Sequence, residues 1–291
     1  ILDKTIQRIP SYSFFGATIL ELKLHSNIHS IDEGAFANCS IILNLTEATH
    51  LKSIGNGAFY SSKIEEIIFP RKVEMIGSYS FANITMLKHA IIRSKVIKSY
   101  AFLGCYNMIC EEIEISGSGC IQDHAFHDCY KLNGTLIIHE ANEKRKNDQI
   151  IYSTIGNSSF QNSGIVSLKI APLSIIGSNC FNNCSSLSYA SIINAENIEK
   201  FAFKNAVNLQ IDSIIAKFIN KKAFQNCYNL NPKIHLKEGG KIDESSFKNC
   251  IKVNKSIINK TKDMLQISTE SGSCGKNVYF EIKYGKINTS L

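Results

Sequence analysis

The chain has 291 residues, with 32 Lys and Arg against 25 Asp and Glu, a net charge of +7, and 44% hydrophobic residues. That composition suits a folded soluble protein and contains no apolar tract of about 18 residues that would span a membrane. The basic residues are scattered among carboxylates, with Lys144-Arg145-Lys146 the one tight run, which argues against the one-sided basic stripe of a nucleic-acid binder.

The phrase Ile54-Gly55-Asn56-Gly57-Ala58-Phe59 returns along the whole sequence. Its phenylalanine recurs as Phe14, Phe36, Phe59, Phe81, Phe102, Phe126, Phe160, Phe181, Phe203, Phe224 and Phe247. An isoleucine stands five residues before each one, from Ile9 to Ile242. The spacings are 22, 23, 22, 21, 24, 34, 21, 22, 21 and 23 residues, and a period of this length predicts a solenoid. One such unit has no core of its own and buries its apolar face against the next. Each alignment column should therefore become a ladder in space, with Phe, Ile and a small residue such as Ala35 or Ser80 stacked along the axis.

In chain order, the chain opens on Ile1, halfway into a repeat, and reads as a piece of something longer or a processed form. After each Phe a turn is expected and then a short strand: Leu22-Lys23-Leu24 in repeat one, Ile67-Ile68-Phe69-Pro70 in repeat three, and the alternating Ser167–Ile170 in repeat seven. Strands one repeat apart should pair in parallel and in register. The Gly-to-Phe segment is too short for a full helix and predicts a helical turn or 3₁₀ segment. Two residues after Phe lies a column of Asn, as in Asn38, Asn162 and Asn249, read as turn formers.

The 34-residue interval holds the charged run at 140–149, which predicts a surface insertion loop over 139–150. After repeat eleven the period lapses, and Val278, Phe280, Ile282 and Tyr284 alternate with polar residues. The expected organisation is a repeat solenoid over 1–262, then a C-terminal β cap or the start of a further module over 263–291.

Six of the ten cysteines, Cys39, Cys105, Cys129, Cys184, Cys227 and Cys250, fall three residues after the Phe, where other repeats have Ala17, Ser62 or Ala206. Such a column predicts buried structural thiols. Cys110 with Cys120, and the lone Cys274, are better disulfide candidates. No phosphate-binding glycine loop, H-E-x-x-H or paired C-x-x-C is present. Asp123-His124-Ala125-Phe126-His127-Asp128 occupies ordinary turn positions, and the pairs His25/His139 and His89/His235 are five and six repeats apart, too far to share a metal. The expectation is no enzyme, no cofactor and no metal.

The phrase Ile-Gly-x-x-Ala-Phe-x-x-Cys, carried by Ile54–Phe59 and by Ile176 to Cys184, resembles the BspA-like leucine-rich repeats over residues 6–260. The tail Ser271-Gly272-Ser273-Cys274-Gly275-Lys276-Asn277-Val278 resembles the Gly-Thr-Cys-Gly-x-Asn-Val lead-in of that family. The resemblance implies a surface or secreted protein that binds host, matrix or other cell proteins, and no catalytic residues.

The fold expected is thus an α/β-type leucine-rich-repeat array of about eleven repeats of 21–24 residues. It would be a right-handed solenoid with parallel strands on the concave face and turns or 3₁₀ segments outside. Outward strand positions on that face nominate Lys23, Ile68, Ile91, Glu114, Ile137, Lys169, His235 and Ile258 for binding a protein partner. Nine Asn-x-Ser/Thr sequons occur, and Asn44, Asn133, Asn157, Asn254 and Asn259 are the glycosylation candidates away from the turn column. The alternatives are an intracellular protein-interaction scaffold, or the repeat region of a larger multidomain protein.

Overall fold

In each repeat a β-branched isoleucine follows a residue that alternates with the core, and this pair closes a strand before the chain turns. The computed structural model describes residues 2–140 and 153–253. Its strands in the first half are β1 (Arg8–Ile9), β2 (Thr18–Lys23), β3 (Ser30–Ile31), β4 (Ser40–Asn44), β5 (Ser53–Ile54), β6 (Glu66–Ile68), β7 (Met75–Ile76) and β8 (His89–Ile97). They continue as β9 (Glu112–Ile121), β10 (Thr135–Ile138), β11 (Ser153–Ile155), β12 (Ser167–Ile170), β13 (Leu173–Ile176), β14 (Tyr189–Ile198), β15 (Gln210–Ile219) and β16 (Lys233–Ile242).

Among the described residues the strand pairings are parallel, and they join the strands into a 14-stranded sheet and a separate β2–β4 pair. The repeat isoleucines pair coil to coil without a break: Ile9, Ile31, Ile54, Ile76, Ile97, Ile121, Ile155, Ile176, Ile198, Ile219 and Ile242. Within a coil the chain makes two strand segments with a corner between them, fused into one ten-residue strand in β9, β14, β15 and β16.

The phenylalanines stack in the same order. Successive rings from Phe14 to Phe247 are 5.0–5.3 Å apart at interplanar angles of 0–16°. Phe126 and Phe160, separated by the long interval, stack at 5.0 Å like their neighbours. The spacing is thus unchanged there; residues 141–152, most of the expected loop, lie outside the described residues, as do 254–262 and the expected cap.

The expected α/β class with 3₁₀ segments is corrected: among the described residues there is no helix, and the architecture is a parallel β-solenoid. The reason is in the backbone. The residue two before Phe has positive φ in ten coils, and the residue two after it has positive φ in all eleven. A right-handed helix needs negative φ at every position, so it cannot pass through either one. Instead the segment is a string of turns. In the second coil Ala35, Ala37 and Cys39 donate their N–H to Asp32, Gly34 and Phe36 three residues back, whereas Gly34, Phe36 and Asn38 donate to Asn56, Ala58 and Tyr60 of the next coil. The residue with positive φ falls third in the first and last of these turns, as a type II turn requires. Half the amides close the coil on itself, and the other half tie it to its neighbour.

The glycine after isoleucine has its own cause. A Cβ on Gly77 would lie 2.5 Å from the carbonyl carbon of Gly55, one coil below, so the backbones approach there more closely than a side chain allows.

The six column cysteines are buried, and each donates its thiol to the carbonyl of the preceding coil's phenylalanine, as Cys105 does to Phe81 at 3.1 Å and Cys184 to Phe160 at 2.9 Å. Alanine fits that space without the bond. All nine described cysteines are free. Cys110 lies two residues before β9 and Cys120 is its penultimate residue, and neither is paired with the other. Burial pushes the thiols of Cys105, Cys110 and Cys184 up to about 12, and that of Cys250 to about 11, from the usual 9.0. Between pH 9 and 12 the unfolded chain therefore binds fewer protons than the folded one, so stability is full below pH 9 and falls as pH rises through that window. Alkylation at pH 8 with mass-spectrometric readout should modify the half-exposed Cys120 first and leave Cys105 and Cys129 unmodified until denaturant is added. Native-state labelling of Cys129 at the rate of Cys120 would contradict their burial.

Candidate functional site

Each nominated residue is an outward position of an alternating strand segment. The structure places them on more than one line, because the first strand segment starts at different distances from the phenylalanine: Glu114 stands twelve residues after Phe102 and Lys169 nine after Phe160, yet both fall in one row. Coils of different length also absorb extra residues at the corner between the two strand segments. Register shifts mark that corner between Ser94 and Val96 in β8 and between Ala216 and Phe218 in β15.

Ile68 pairs with Ile91. Two residues further along β8, on the same side of the strand, Arg93 begins an unbroken row: Arg93 beside Glu114, Glu114 beside Ile137, and Ile137 beside Lys169. These residues form one patch crossing five coils. Lys23 lies apart, paired with Asn44 and 3.3 Å from Glu21. His235 pairs with Ile215, which pairs with Asn194, so it lies just short of the corner and off the row that runs from Arg93 to Lys169. Ile258 lies outside the described residues.

The centre of the patch is an ionic contact. Glu114 Oε2 accepts from Arg93 Nε at 3.0 Å, and Oε1 meets His139 Nε2 at 2.9 Å, so one carboxylate ties together three adjacent coils. Partial burial pushes the Glu114 carboxyl up, but the hydrogen bonds from His139 and Arg93 outweigh this and hold it below its usual range. A half-exposed network of this kind is worth little in stability. Its effect is to fix the positions of charges between the apolar side chains of Ile91 and Ile137.

Two residues of the sheet were missed. Leu20 and Ile42 are exposed to 88% and 70%, next to the buried pair formed by Leu22 and Leu43. The run Ile41-Ile42-Leu43 carries no alternation that would betray the outward residue. Arg93 and His139 were also passed over as partners of Glu114, because their coils differ in length.

Among the sequons, Asn44 and Asn133 are exposed. The Asn44 side-chain oxygen accepts from the backbone and hydroxyl of Thr46. Asn157 is exposed, but its amide donates to Asp123 and its oxygen accepts from Ser178 N–H, while its sequon serine, Ser159, is fully buried. Asn254 and Asn259 lie outside the described residues.

The Asp123–Asp128 cluster keeps to its turn positions. His124 stacks on Tyr100 with centroids 4.8 Å apart, and Asp128 accepts from Asn162. No group of three or more metal-ligating side chains is assembled among the described residues, and no described helix is long and apolar enough to cross a membrane.

No curated protein matches the chain. Among solved structures, a leucine-rich repeat protein from Bacteroides ovatus is 20% identical, with 85% of this chain and 82% of that chain covered and a TM-score of 0.41. A leucine rich cell surface protein from Faecalibacterium prausnitzii is 16% identical over 79% and 82% of the two chains, with a TM-score of 0.32. The pneumococcal vaccine antigen PcpA is 16% identical over 89% and 82%, with a TM-score of 0.38. The profile of the BspA type leucine rich repeat region (6 copies) matches residues 7–133, 110–231 and 153–274. Those matches span nearly all of the coils built on the phenylalanine stack, and the chain belongs to the BspA-type leucine-rich repeat family.

Proposed function

We propose that this chain is a non-catalytic binding module of a cell-surface or secreted protein, and that it holds a host, matrix or other cell protein on its sheet face. The observation that supports this reading is the patch of Ile68, Ile91 and Ile137 with Arg93, Glu114 and Lys169. It combines apolar contact area with charges fixed in place, as protein interfaces do. Membership of a repeat family typical of surface proteins and interaction modules supports it as well.

The test is binding to a panel of immobilised extracellular-matrix and cell-surface proteins. Ile91→Asp and Lys169→Glu, both at solvent-facing strand positions, are expected to weaken binding at least tenfold, about 1.4 kcal/mol each, with unchanged circular dichroism. Wild-type affinity in both variants would remove the sheet face from the reading.

A second reading is an intracellular scaffold on the same solenoid. It is favoured by the nine free thiols among the described residues, since reducing compartments keep cysteines unpaired. Antibody staining of intact against permeabilised cells separates the two: staining of intact cells supports surface display, and signal after permeabilisation alone supports the scaffold.

A further inference from the structure

The string of turns carries a feature that the sheet does not. Two residues before the phenylalanine, in ten of the eleven coils, the backbone is left-handed, which glycine adopts freely and a bulky side chain does not. Glycine occupies that position only at Gly34 and Gly57, whereas rings occupy it at Tyr12, Tyr79, Tyr100, His124 and Phe201, with φ of 55–62°. Where rings are consecutive they stack, Tyr79 on Tyr100 at 4.7 Å and Tyr100 on His124 at 4.8 Å.

Gly34 and Gly57 interrupt this row. Tyr12 and Tyr79 stand three coils apart, about 15 Å at parallel-strand spacing, and the cleft between them has a volume of about 340 Å³. Phe15 lies edge-on beside Tyr12 at 6.3 Å, and Tyr60 completes the opposite wall. Tyr12 leans over Gly34, where a methyl group would strike its ring.

The polar groups around the cleft are side chains with capacity to spare. Glu33 accepts from the Tyr12 hydroxyl through Oε1 at 2.7 Å, which leaves Oε2. Asn56 accepts from Ser78 N–H through its oxygen, which leaves its NH₂. Asn38 is exposed, and its amide has no side-chain partner below it, where Gly16 stands in the same column. The backbone of the floor is already committed, with Gly34 N–H bonded to Asn56 O and Gly57 N–H to Ser78 O. An extended peptide recognised through its main chain would find no free donors there.

We propose that this cleft binds a neutral hexopyranose residue of a glycan. Its apolar C–H face would lie on the tyrosine rings, and its hydroxyls would bond Glu33, Asn38 and Asn56, the pairing of aromatic walls with a few convergent polar groups that small-ligand sites use. The Glu33 carboxylate selects against acidic sugars.

Saturation-transfer NMR of the intact chain with glucose, galactose, mannose and N-acetylglucosamine, each at about 10 mM to reach millimolar affinities, tests this. Transfer to the ring C–H protons of at least one sugar is expected, with none to N-acetylneuraminic acid. Gly57→Tyr continues the ring column of Tyr79 and Tyr100 and should abolish the transfer. Asn38→Gly keeps a residue that this column already holds at Gly16 and Gly104, removes the amide, and should weaken binding about tenfold. Circular dichroism confirms folding of both. No transfer from any of the four sugars, undiminished transfer in Gly57→Tyr, equal transfer to the acidic sugar, or transfer only to a tyrosine- or proline-containing peptide would each overturn the proposal. A sheet face that binds nothing leaves this test unaffected.

Discussion

Phe126→Ala is expected to cost about 3–5 kcal/mol, the range for truncating a fully buried aromatic ring. The ring is completely buried and stacks at 5.0 Å on both Phe102 and Phe160, so its loss opens a void shared by two junctions. Stability in a solenoid is a sum of unit and nearest-neighbour terms, and weakening the middle of the column should separate the array into two cooperative blocks. Urea unfolding followed by circular dichroism would then show a lowered midpoint and a broadened or double transition. Phe247 is 5% exposed and stacks on Phe224 alone among the described residues. Phe247→Ala should therefore cost roughly half as much, by loss of one neighbour rather than two. Equal costs at the two positions would show that the rings contribute individually and not as a column.

The second large effect is in the asparagine column. Asn249 donates to Asn226 at 2.8 Å, Asn226 to Asn205 at 2.6 Å, Asn205 to Asn183 at 2.7 Å, Asn183 to Asn162 at 2.9 Å, and Asn162 to the Asp128 carboxylate at 2.8 Å. Each of these residues also has positive φ. Asn205→Ala removes two side-chain hydrogen bonds, at about 1 kcal/mol each, and forces alanine into a left-handed backbone at a further 1–2 kcal/mol or so. A total near 3 kcal/mol is expected. Asn205→Gly removes the same bonds but relaxes the backbone, so about two-thirds of that loss should remain. Thermal unfolding of the two variants separates the contributions, and identical melting temperatures would show that the backbone term is negligible.

The repeating core was legible in the sequence for a simple physical reason: a column that must stack on itself tolerates almost no variation. Phe14 to Phe247 and Ile9 to Ile242 were recognised as ladders because the residue type is the same in every coil. The small-residue site filled by Cys39 or Ala206 was legible for the same reason. What could not be read was any property set by the difference between coils. The line from Arg93 through Glu114 to Lys169 depends on how far each coil's strand lies from its phenylalanine, twelve residues to Glu114 and nine to Lys169, and that stretch has no fixed residue type. The helical turn expected before Phe failed differently. Its residues, Tyr12, Tyr79 and Lys222 among them, are ones that ordinarily avoid positive φ, so their sequence concealed a backbone dictated by bonds to the next coil.

Those bonds also run against the rest of the coil. From Tyr12 to Asn205, three amides per junction in the turn segment donate forward, toward the C-terminal coil, whereas amides outside it, such as Asp32 to Ile9, Gly55 to Ile31 and Gly77 to Ile54, donate backward. Opposed peptide dipoles offset each other instead of summing as they do along a helix. Each junction is therefore clasped from both sides, and two coils part only when bonds of both directions break.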